Sequence, residues 1–565
     1  MKTRRCALLL CGLFALLCHR STLAERPRLV VVVVFDQLPE WALELYEPIL
    51  PEDGGIKRLI REGVWYQDAW YPQAATVTAV GHSVISTGLT PRHSGIVGNG
   101  WYDPTTGRAV YCVADERHRT VGSPGGGASP HRLRVPTVGD LLRLATAGRG
   151  KVVSVAGKDR SAVLMAGHGG QAYWYSRTNG MFVTSTYYQP EGKLPDWVVA
   201  FNKEGRIRRY AGALWALTLE PDAYVQSVDD RPCEPEGGRT FPHRMPEAAS
   251  PVLGGAVYSS PFLHEHILAF AKAAIEGEGL GQDEVPDLLW IGLSATDAVG
   301  HRYGPFSLEY QDCLIRTDRA LGAFFAQLDR AVGTENWAAV VSADHGVAPC
   351  PEHLAAHGID AKRVDFTELR ARVVEALAEL AGDPESARAL LAAWGPYVYL
   401  NRKKVQELGL DLGEVQRRIA KALELDADVA AAFAAEDLLN GDYSKTDFLA
   451  AQAAQTIHPA IGPDVVVVLR PYCIPGNGRP ATGTTHGSPH SYDARVPILV
   501  RFPRLSPADG PETGDDRRTT EGGALSSPRV YVTQIAATIS RWLRLPRSTY
   551  FPPLPFSTTA RRGGD

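Results

Sequence analysis

Three predicted strands end, and a fourth begins, beside side chains that can bind a metal ion. In chain order they are Asp36 after LVVVVVF (29–35), Asp297 and His301 after LLWIGL (288–293), Asp344 and His345 after WAAVVS (337–342), and His486 before VPILV (496–500). Each residue alone also suits a turn or a helix cap, but catalytic groups of open α/β sheets gather at the carboxyl ends of strands. Carboxylates with imidazoles are typical ligands of zinc or a similar cation.

The number of these ligands indicates two metal ions rather than one. Three aspartates and three histidines exceed what one catalytic zinc needs, whereas they suit two zincs that each keep an open position. Asp297 and His301, four residues apart, can share one helical face. Two metals about 4 Å apart can stabilise both the attacking and the leaving oxygen of an in-line displacement at phosphorus.

Two basic residues follow another predicted strand and suit an anionic ligand. Lys158 and Arg160 come directly after VVSVA (152–156), and their spacing in extended chain lets both reach one phosphoryl group. An isolated Lys-Asp-Arg would fit a solvated turn, but its place beside a predicted dimetal site favours anion recognition. Asn99, in a glycine-rich loop, adds an amide donor.

The stretch TVTAVGHSVISTG (76–88) holds hydroxyls that suit either a helix cap or a nucleophile. Thr78 lies where a helix beginning near Ala79 would be capped, and such a terminus also favours a bound phosphate. His82 lies one turn into this helix and is assigned a structural role, away from the metal ligands.

Strand and helix patterns alternate along the chain and predict an α/β fold. Short apolar runs without alternation, including VVVVL (465–469), are typical of strands buried on both faces. We expect a three-layer α/β/α sandwich with a mostly parallel central sheet. Three insertions are predicted: a surface loop at about 103–137, a cap at about 170–260 and a helical subdomain at about 363–440.

The N-terminal segment indicates where the protein works, and the overall charge indicates which kind of partner it lacks. Residues 1–24 have the basic start, the short apolar run and the small-residue end of a secretory signal, so we expect the mature chain in the periplasm. Without them, 55 basic residues face 63 acidic ones, which argues against a nucleic-acid polymer as partner. No later run is long enough to cross a membrane. Five mature cysteines are an odd number, so at least one is unpaired within the chain.

The chain resembles the alkaline phosphatase superfamily, most closely the bacterial periplasmic phosphate-irrepressible alkaline phosphatases, which are relatives of the nucleotide pyrophosphatases/phosphodiesterases. The motifs that carry the resemblance are FDQ (35–37), TAVGHSVISTG (78–88), GIVGNGWYD (95–103), GKDRSAVLMAGH (157–168), TDAVGH (296–301), SADHG (342–346) and GTTHG (483–487). They follow the family order and span most of the mature chain. One departure is Val80, where the family commonly has proline.

The resemblance implies the role of each candidate residue. One zinc would be held by Asp297, His301 and His486, and the other by Asp36, Asp344 and His345. Thr78 would be the nucleophile and also contact the second metal, while Asn99, Lys158 and Arg160 would bind the phosphoryl oxygens.

The predicted activity is therefore hydrolysis of small phosphate monoesters through a phosphothreonine, with two Zn²⁺ per chain. A phosphodiesterase or nucleotide pyrophosphatase is the main alternative, and a secreted metal- or phosphate-binding protein without turnover is another. The ligand set also permits iron, manganese or cobalt. The oligomeric state stays open and is compatible with a monomer.

Overall fold

The computed structural model covers most of the predicted mature chain. It describes residues 26–231, 233–235, 240–248, 252–441, 447–476, 482–503, 529–546 and 552–555. The predicted signal segment 1–24 lies outside the described residues.

A ten-stranded mixed sheet forms the centre of the protein and confirms the predicted α/β class. Its strands, in spatial order, are Val64–Tyr66, Ile498–Arg501, Trp337–Ala343, Leu29–Phe35, Asp287–Leu293, Val152–Ala156, Gln171–Tyr175, Phe182–Ser185, Ala114–Val121 and Gly126–Ala128. The five strands from Trp337–Ala343 to Gln171–Tyr175 are parallel, and those at both edges are antiparallel. The three innermost strands are buried along their whole length, as their unbroken apolar sequences predict.

The predicted strand 465–469 forms, but it belongs to a second sheet. Val465–Leu469 lies in a four-stranded antiparallel sheet with Leu391–Ala393, Tyr397–Leu400 and Val429–Ala434. Alternate residues of the strand enter two different hydrophobic clusters, one with Val465 and one with Val466. Both faces are therefore covered, which is why its sequence is as apolar as that of a central strand.

Two of the three predicted insertions contain strands that the sequence pattern did not predict, and the third contributes aromatic rings to the core. The segment 363–440 contains strands as well as helices, because it supplies three strands of the second sheet. The segment 103–137, expected as a surface loop, contributes Ala114–Val121 and Gly126–Ala128 to the edge of the central sheet. Within 170–260, aromatic rings pack into the core; Phe182, for example, stacks on Phe270 with ring centroids 3.9 Å apart.

Helices and short elements complete the fold. The helices are Glu40–Tyr46, Gly55–Glu62, Thr78–Thr87, Pro91–Ser94, Val138–Ala145, Asp159–Ala166, Asp196–Lys203, Leu253–Tyr258, Phe262–Glu278, Ala295–Tyr303, Leu308–Ala331, Pro351–Ala356, Phe366–Ala381, Pro384–Leu390, Arg402–Glu407, Leu412–Glu424, Ala435–Asn440, Phe448–Thr456, Ser491–Ala494 and Gln534–Leu543. The remaining strands are Ala69–Trp70, Gly100–Asp103, Arg108–Tyr111, Leu214–Trp215, His243–Arg244, Lys362–Asp365, Cys473–Gly476 and Val530–Tyr531. Short 3-10 turns span Glu47–Ile49, Arg206–Tyr210 and Pro221–Ala223.

Two further observations concern the described part of the chain. None of its helices combines the length and the apolar character needed to cross a membrane. The five cysteines outside the predicted signal segment are buried free thiols.

Candidate active site

The carboxyl ends of the three innermost parallel strands bring the predicted aspartates together. Phe35 pairs with Leu293 on one side and with Ala343 on the other, so the three strands end level. Asp36 and Asp344 follow their strands directly, and Asp297 lies in the first turn of the helix Ala295–Tyr303. This edge of the sheet is where ligands of open α/β folds bind.

One group of three ligands combines Asp297, His301 and His486; we call it the two-histidine cluster. One ligand atom from each residue lies within 4.8 Å of the others. The Nε2 atom of His301 is 3.1 Å from Oδ1 of Asp297, and Nε2 of His486 is 3.5 Å from the same oxygen. Asp297 and His301 share a helical face, as their spacing predicts.

The second group, the two-aspartate cluster, combines Asp36, Asp344 and His345 within the same distance limit. Nε2 of His345 lies 3.6 Å from Oδ1 of Asp36 and 3.5 Å from Oδ2 of Asp344. These three atoms are buried and accept or donate no hydrogen bond. Since unpaired buried polar atoms are costly, their convergence fits a bound cation.

Backbone carbonyls orient all three histidines for metal binding. Nδ1 of His301 donates to the carbonyl of Thr484, Nδ1 of His486 to that of Thr76, and Nδ1 of His345 to that of Gly346. Because a carbonyl only accepts, each Nδ1 carries the proton and each Nε2 keeps its lone pair. This is the usual outer-shell arrangement of metal-binding histidines.

The electrostatics of the two-aspartate cluster also favour a cation. Burial, together with the charges of Asp297 and Asp344, raises the pKa of Asp36 well above its usual value. Burial acts in the same direction on Asp344, but His345 and His82 outweigh it and bring its pKa to about 2. Burial lowers the pKa of His345 to about 3, which keeps the ring in the neutral form that binds metals.

The hydroxyl of Thr78 lies beside both predicted anion-binding residues. Nζ of Lys158 is 3.4 Å and Nη2 of Arg160 is 3.3 Å from Oγ1 of Thr78. Lys158 also reaches Oδ2 of Asp36 at 2.7 Å and Oδ2 of Asp297 at 2.6 Å, one aspartate from each cluster. The nucleophile candidate, the cationic groups and the two ligand clusters therefore occupy one site.

The predicted capping role of Thr78 is wrong. The helix is Thr78–Thr87, its N-cap is Val77, and no side chain of the cap residue bonds to the helix. Oδ1 of Asn99 instead accepts from the backbone N–H of Ala79 at 2.8 Å. Thr78 is itself the first residue of the helix, and its hydroxyl contacts Lys158 and Arg160. Asn99 binds the helix terminus through its Oδ1 atom and not through its amide nitrogen.

His82 lies closer to the ligands than its sequence position indicates. Its Nδ1 is 2.9 Å from the carbonyl of Thr78 and 3.2 Å from Oδ2 of Asp344. The expectation that His82 lies away from the ligands is therefore wrong. Gly81 has no side chain, so the helix packs closely against the backbone of Asp344, and this packing places His82 near the ligands.

Several residues that sequence reasoning missed support the site. Gln37 binds both clusters: its backbone N–H donates to Asp344 at 3.0 Å, and its Nε2 donates to Asp297 at 3.1 Å. Gln37 has φ +72°, which is uncommon for a residue with a side chain. Oδ2 of the buried Asp493 accepts from the backbone N–H groups of Gly487 and Ser488 and so fixes the loop that carries His486.

Tyr111 positions Arg160. Its hydroxyl donates to Oδ1 of Asp159 at 2.6 Å and accepts from Nη1 of Arg160 at 3.3 Å. Tyr111 lies on the strand Arg108–Tyr111, within the segment expected to be a surface loop. No sequence pattern linked it to the Lys-Asp-Arg motif.

Replacing Tyr111 by phenylalanine should reduce kcat/KM for an aryl phosphate by about fivefold, since one hydrogen bond of about 1 kcal/mol is lost. Bound metal should stay at the wild-type level. The matched comparison is the same substitution in an Arg160→Ala background, where it should have little further effect. An equal loss in both backgrounds would contradict the positioning role.

Gly81 permits the close approach of its helix to the site. A Cβ atom at this position would lie 2.0 Å from the carbonyl oxygen of Asp344. We expect Gly81→Ala to lower the free energy of unfolding by about 1 to 2 kcal/mol, because overpacking outweighs the gain in helix propensity. Gly255→Ala is the control, since a Cβ there meets nothing within 4 Å. Denaturant unfolding of both variants tests this; equal stability would contradict it.

A cleft of about 630 Å³ opens beside Asn99. Trp101 and Tyr102 line one part of it, and Trp394 and Tyr397 of the insertion around 363–440 line another. Val77, the residue before Thr78, also lines the cleft, so its aromatic surface begins next to the N-terminus of the helix Thr78–Thr87. These aromatic residues lie outside the predicted cap.

Comparisons with known proteins show the family to which this chain belongs. The family model described as Type I phosphodiesterase / nucleotide pyrophosphatase matches residues 30–493. The alkaline phosphatase PafA of Elizabethkingia meningoseptica is 33% identical over 491 residues, covering 85% of this chain and 88% of that protein. The alkaline phosphatase PhoV of Synechococcus elongatus is 41% identical over 338 residues, covering 58% and 60%.

The fold is also that of a solved relative. The crystal structure of wild-type PafA superposes with a TM-score of 0.81 at 30% identity, covering 94% of this chain and 98% of that one. The resemblance inferred from the sequence is thereby confirmed. The chain belongs to the Type I phosphodiesterase / nucleotide pyrophosphatase family, as an enzyme similar in sequence and fold to the family's alkaline phosphatases.

Proposed function

We propose that this chain is an exported phosphomonoesterase that binds two zinc ions and transfers the phosphoryl group through Thr78. The observation that carries the proposal is the position of the Thr78 hydroxyl. Of the neighbouring hydroxyls of Thr76, Thr78 and Ser83 in the stretch TVTAVGHSVISTG, only that of Thr78 contacts Lys158 and Arg160, and it does so beside two clusters of candidate metal ligands.

The other two hydroxyls are occupied elsewhere. Thr76 donates to the carbonyl of Ser488 at 2.8 Å, and Ser83 donates to the carbonyl of Val80 at 2.9 Å. These contacts favour Thr78 over its neighbours as the nucleophile.

The residues of both clusters would hold the metal ions. Asp297, His301 and His486 would bind one, and Asp36, Asp344 and His345 the other. When bound, the ions supply Lewis-acid stabilisation of the attacking and leaving oxygens. The ligand atoms are nitrogen and oxygen without thiolate, a set that zinc accepts and that iron, manganese or cobalt also accept.

The chain's own groups account for the remaining steps. Oγ1 of Thr78 loses its proton to solvent and attacks phosphorus, and the leaving oxygen departs with the electron pair of its bond and takes a proton from solvent. Water then hydrolyses the phosphothreonine and releases phosphate and the free Thr78 hydroxyl. Lys158, Arg160 and the Asn99 amide would bind the oxygens that are not transferred. Since these donors are already in position, they stabilise the transition state without reorganising.

The relatives support these assignments. The solved PafA variant carries substitutions of one threonine, one asparagine, one lysine and one arginine. The spacings within its Thr/Asn and Lys/Arg pairs equal those of Thr78 with Asn99 and of Lys158 with Arg160. Thr78 with Asn99, and Lys158 with Arg160, therefore have the within-pair spacings of four residues that were replaced together in that phosphatase, and in this chain they lie at one site.

The charges of the site favour monoesters over diesters. A monoester dianion carries more charge than a diester monoanion, and Lys158 and Arg160 provide two buried or half-buried cations for it. We expect kcat/KM for an aryl phosphate to exceed that for a bis-aryl phosphate by at least about 100-fold, equivalent to about 2.7 kcal/mol. Equal or faster diester turnover would favour a phosphodiesterase instead.

Export rests on the segment 1–24. We expect the N-terminus of the protein recovered from the periplasm to begin after Ala24. Edman sequencing of that material tests the cleavage. Retention of the whole segment in the purified protein would contradict it.

A further inference from the structure

Three carboxylates meet outside the two metal clusters. Asp229, Glu234 and Glu309 each place one oxygen within 4.8 Å of the others; we call them the carboxylate triad. Glu309 lies in the first turn of the helix Leu308–Ala331, while Asp229 and Glu234 come from the segment that precedes the strand His243–Arg244.

The triad is buried and incompletely paired. Glu234 and Glu309 are each 0% exposed. Neither carboxylate oxygen of Glu234 has a hydrogen-bond partner, and Oε2 of Glu309 and Oδ1 of Asp229 also have none. Two contacts are made at the edge of the triad: Oε1 of Glu309 lies 2.8 Å from Nε2 of His243, and Oδ2 of Asp229 accepts from the N–H of Phe241 at 3.3 Å.

Packing three carboxylates together is unfavourable unless something compensates their charge. Burial, followed by the charge of Glu309, raises the pKa of Glu234 to about 8. Burial also raises the pKa of Glu309, although the hydrogen bond with His243 opposes it. One imidazole cannot neutralise three acids, so a proton must be shared or a cation must bind.

We propose that Asp229, Glu234 and Glu309 bind a hard divalent cation of the Ca²⁺ type. The unpaired atoms are all oxygens, with no sulfur and no free imidazole nitrogen among the triad, and oxygen ligands are those that Ca²⁺ prefers. The site shares no residue with either metal cluster. It goes beyond the proposed function and does not depend on it.

The surroundings indicate what such a cation would stabilise. The carbonyl of Cys233, adjacent to Glu234, accepts from the N–H of Gly483, and the next residue, Thr484, orients His301 through its carbonyl. Glu309 lies in the first turn of the helix Leu308–Ala331, which follows the helix that carries His301. A cation at the triad would therefore hold Asp229 and Glu234 close to the residues that support the two-histidine cluster.

Terbium luminescence tests the site in the zinc-loaded protein. Trp215 lies close to the triad, its ring centroid being 5.3 Å from that of His243, so a bound Tb³⁺ should be sensitised by tryptophan excitation. We expect one saturable signal, displaced by Ca²⁺, that Glu234→Gln reduces at least tenfold. Asp222→Asn is the matched control, because it removes one exposed carboxylate from the same segment.

Two outcomes would overturn the proposal. A Ca²⁺-displaceable signal that persists in Glu234→Gln would assign the ion to another site. Should Glu234→Gln fail to fold, metal analysis of the zinc-loaded wild-type protein decides. After dialysis against Ca²⁺, we expect each chain to retain one calcium ion and to have a higher Tm than the calcium-free protein. No retained calcium would mean that the triad shares a proton instead.

Discussion

Replacing Thr78 by alanine is expected to lower kcat for an aryl phosphate by about 10⁴-fold or more, with the bound zinc unchanged. The substitution removes the hydroxyl together with the γ-methyl group, and the hydroxyl lies 3.3 to 3.4 Å from the cationic atoms of Arg160 and Lys158. The six carboxylate and imidazole ligands that we propose are other residues, so we expect both ions to remain. Single-turnover phosphate release and metal analysis on the same preparation measure the two effects.

Thr78→Ser is the matched control for this prediction. Serine keeps the hydroxyl and loses one methyl group, so we expect activity within about tenfold of the wild-type value. Trapping the intermediate by acid quench should give a phosphoserine in this variant and a phosphothreonine in the wild type. Activity in Thr78→Ala close to the wild-type level would exclude Thr78 as nucleophile.

The convergence of the three aspartates was predictable because it depends on strand register alone. Asp36, Asp297 and Asp344 each follow an unbroken apolar run, and parallel strands of similar length end at the same edge. The i, i+4 spacing of Asp297 and His301 likewise follows from helix geometry. The local pattern of apolar and polar residues was therefore sufficient to predict that these residues converge.

The supporting contacts were not predictable in the same way, because they join distant parts of the chain. Tyr111 reaches Arg160 through a strand in a segment whose glycine, proline and serine content indicates a loop. Gln37 binds Asp297, 260 positions away. A single sequence carries no periodicity that records such pairs.

The position of Asn99 shows the same limit at the helix terminus. Sequence preference places the cap on the hydroxyl nearest the predicted start of the helix, which is Thr78. The structure instead brings Asn99, on a separate loop, to the N–H of Ala79. Tertiary packing thus supplies the cap and leaves Thr78 available for chemistry.

The strand Val465–Leu469 illustrates why composition alone misassigned a sheet. Five buried apolar residues indicate that both faces of a strand are covered, but they do not identify the elements that cover them. Here one face packs on helices of the insertion and the other on a separate small cluster. Assigning the strand to its sheet required the hydrogen-bond partners.

The second large effect is expected from Asp344→Asn, which should reduce kcat by about 10³-fold or more and lower bound zinc from two ions per chain to one. Oδ1 of Asp344 accepts from the N–H of Gln37, and the amide oxygen of asparagine can keep that bond. The other atom, which faces His82 and His345, changes from a charged oxygen to an uncharged NH₂ group. A metal bound there would lose one anionic ligand, while the hydrogen bond from Gln37 would remain.

Asp318→Asn separates this effect from the general cost of altering a buried carboxylate. Asp318 is as buried as Asp344 and accepts from the N–H of Ile56, but it lies in neither ligand cluster. Burial raises its pKa to about 7, so the substitution removes a charge that is only partly present at neutral pH. We expect it to retain two zinc ions and nearly full activity. Loss of zinc in both variants would indicate that unfolding releases the metal. Two retained ions in Asp344→Asn would instead show that Asp344 is not a ligand, because an asparagine amide cannot replace an anionic ligand of zinc without loss of affinity.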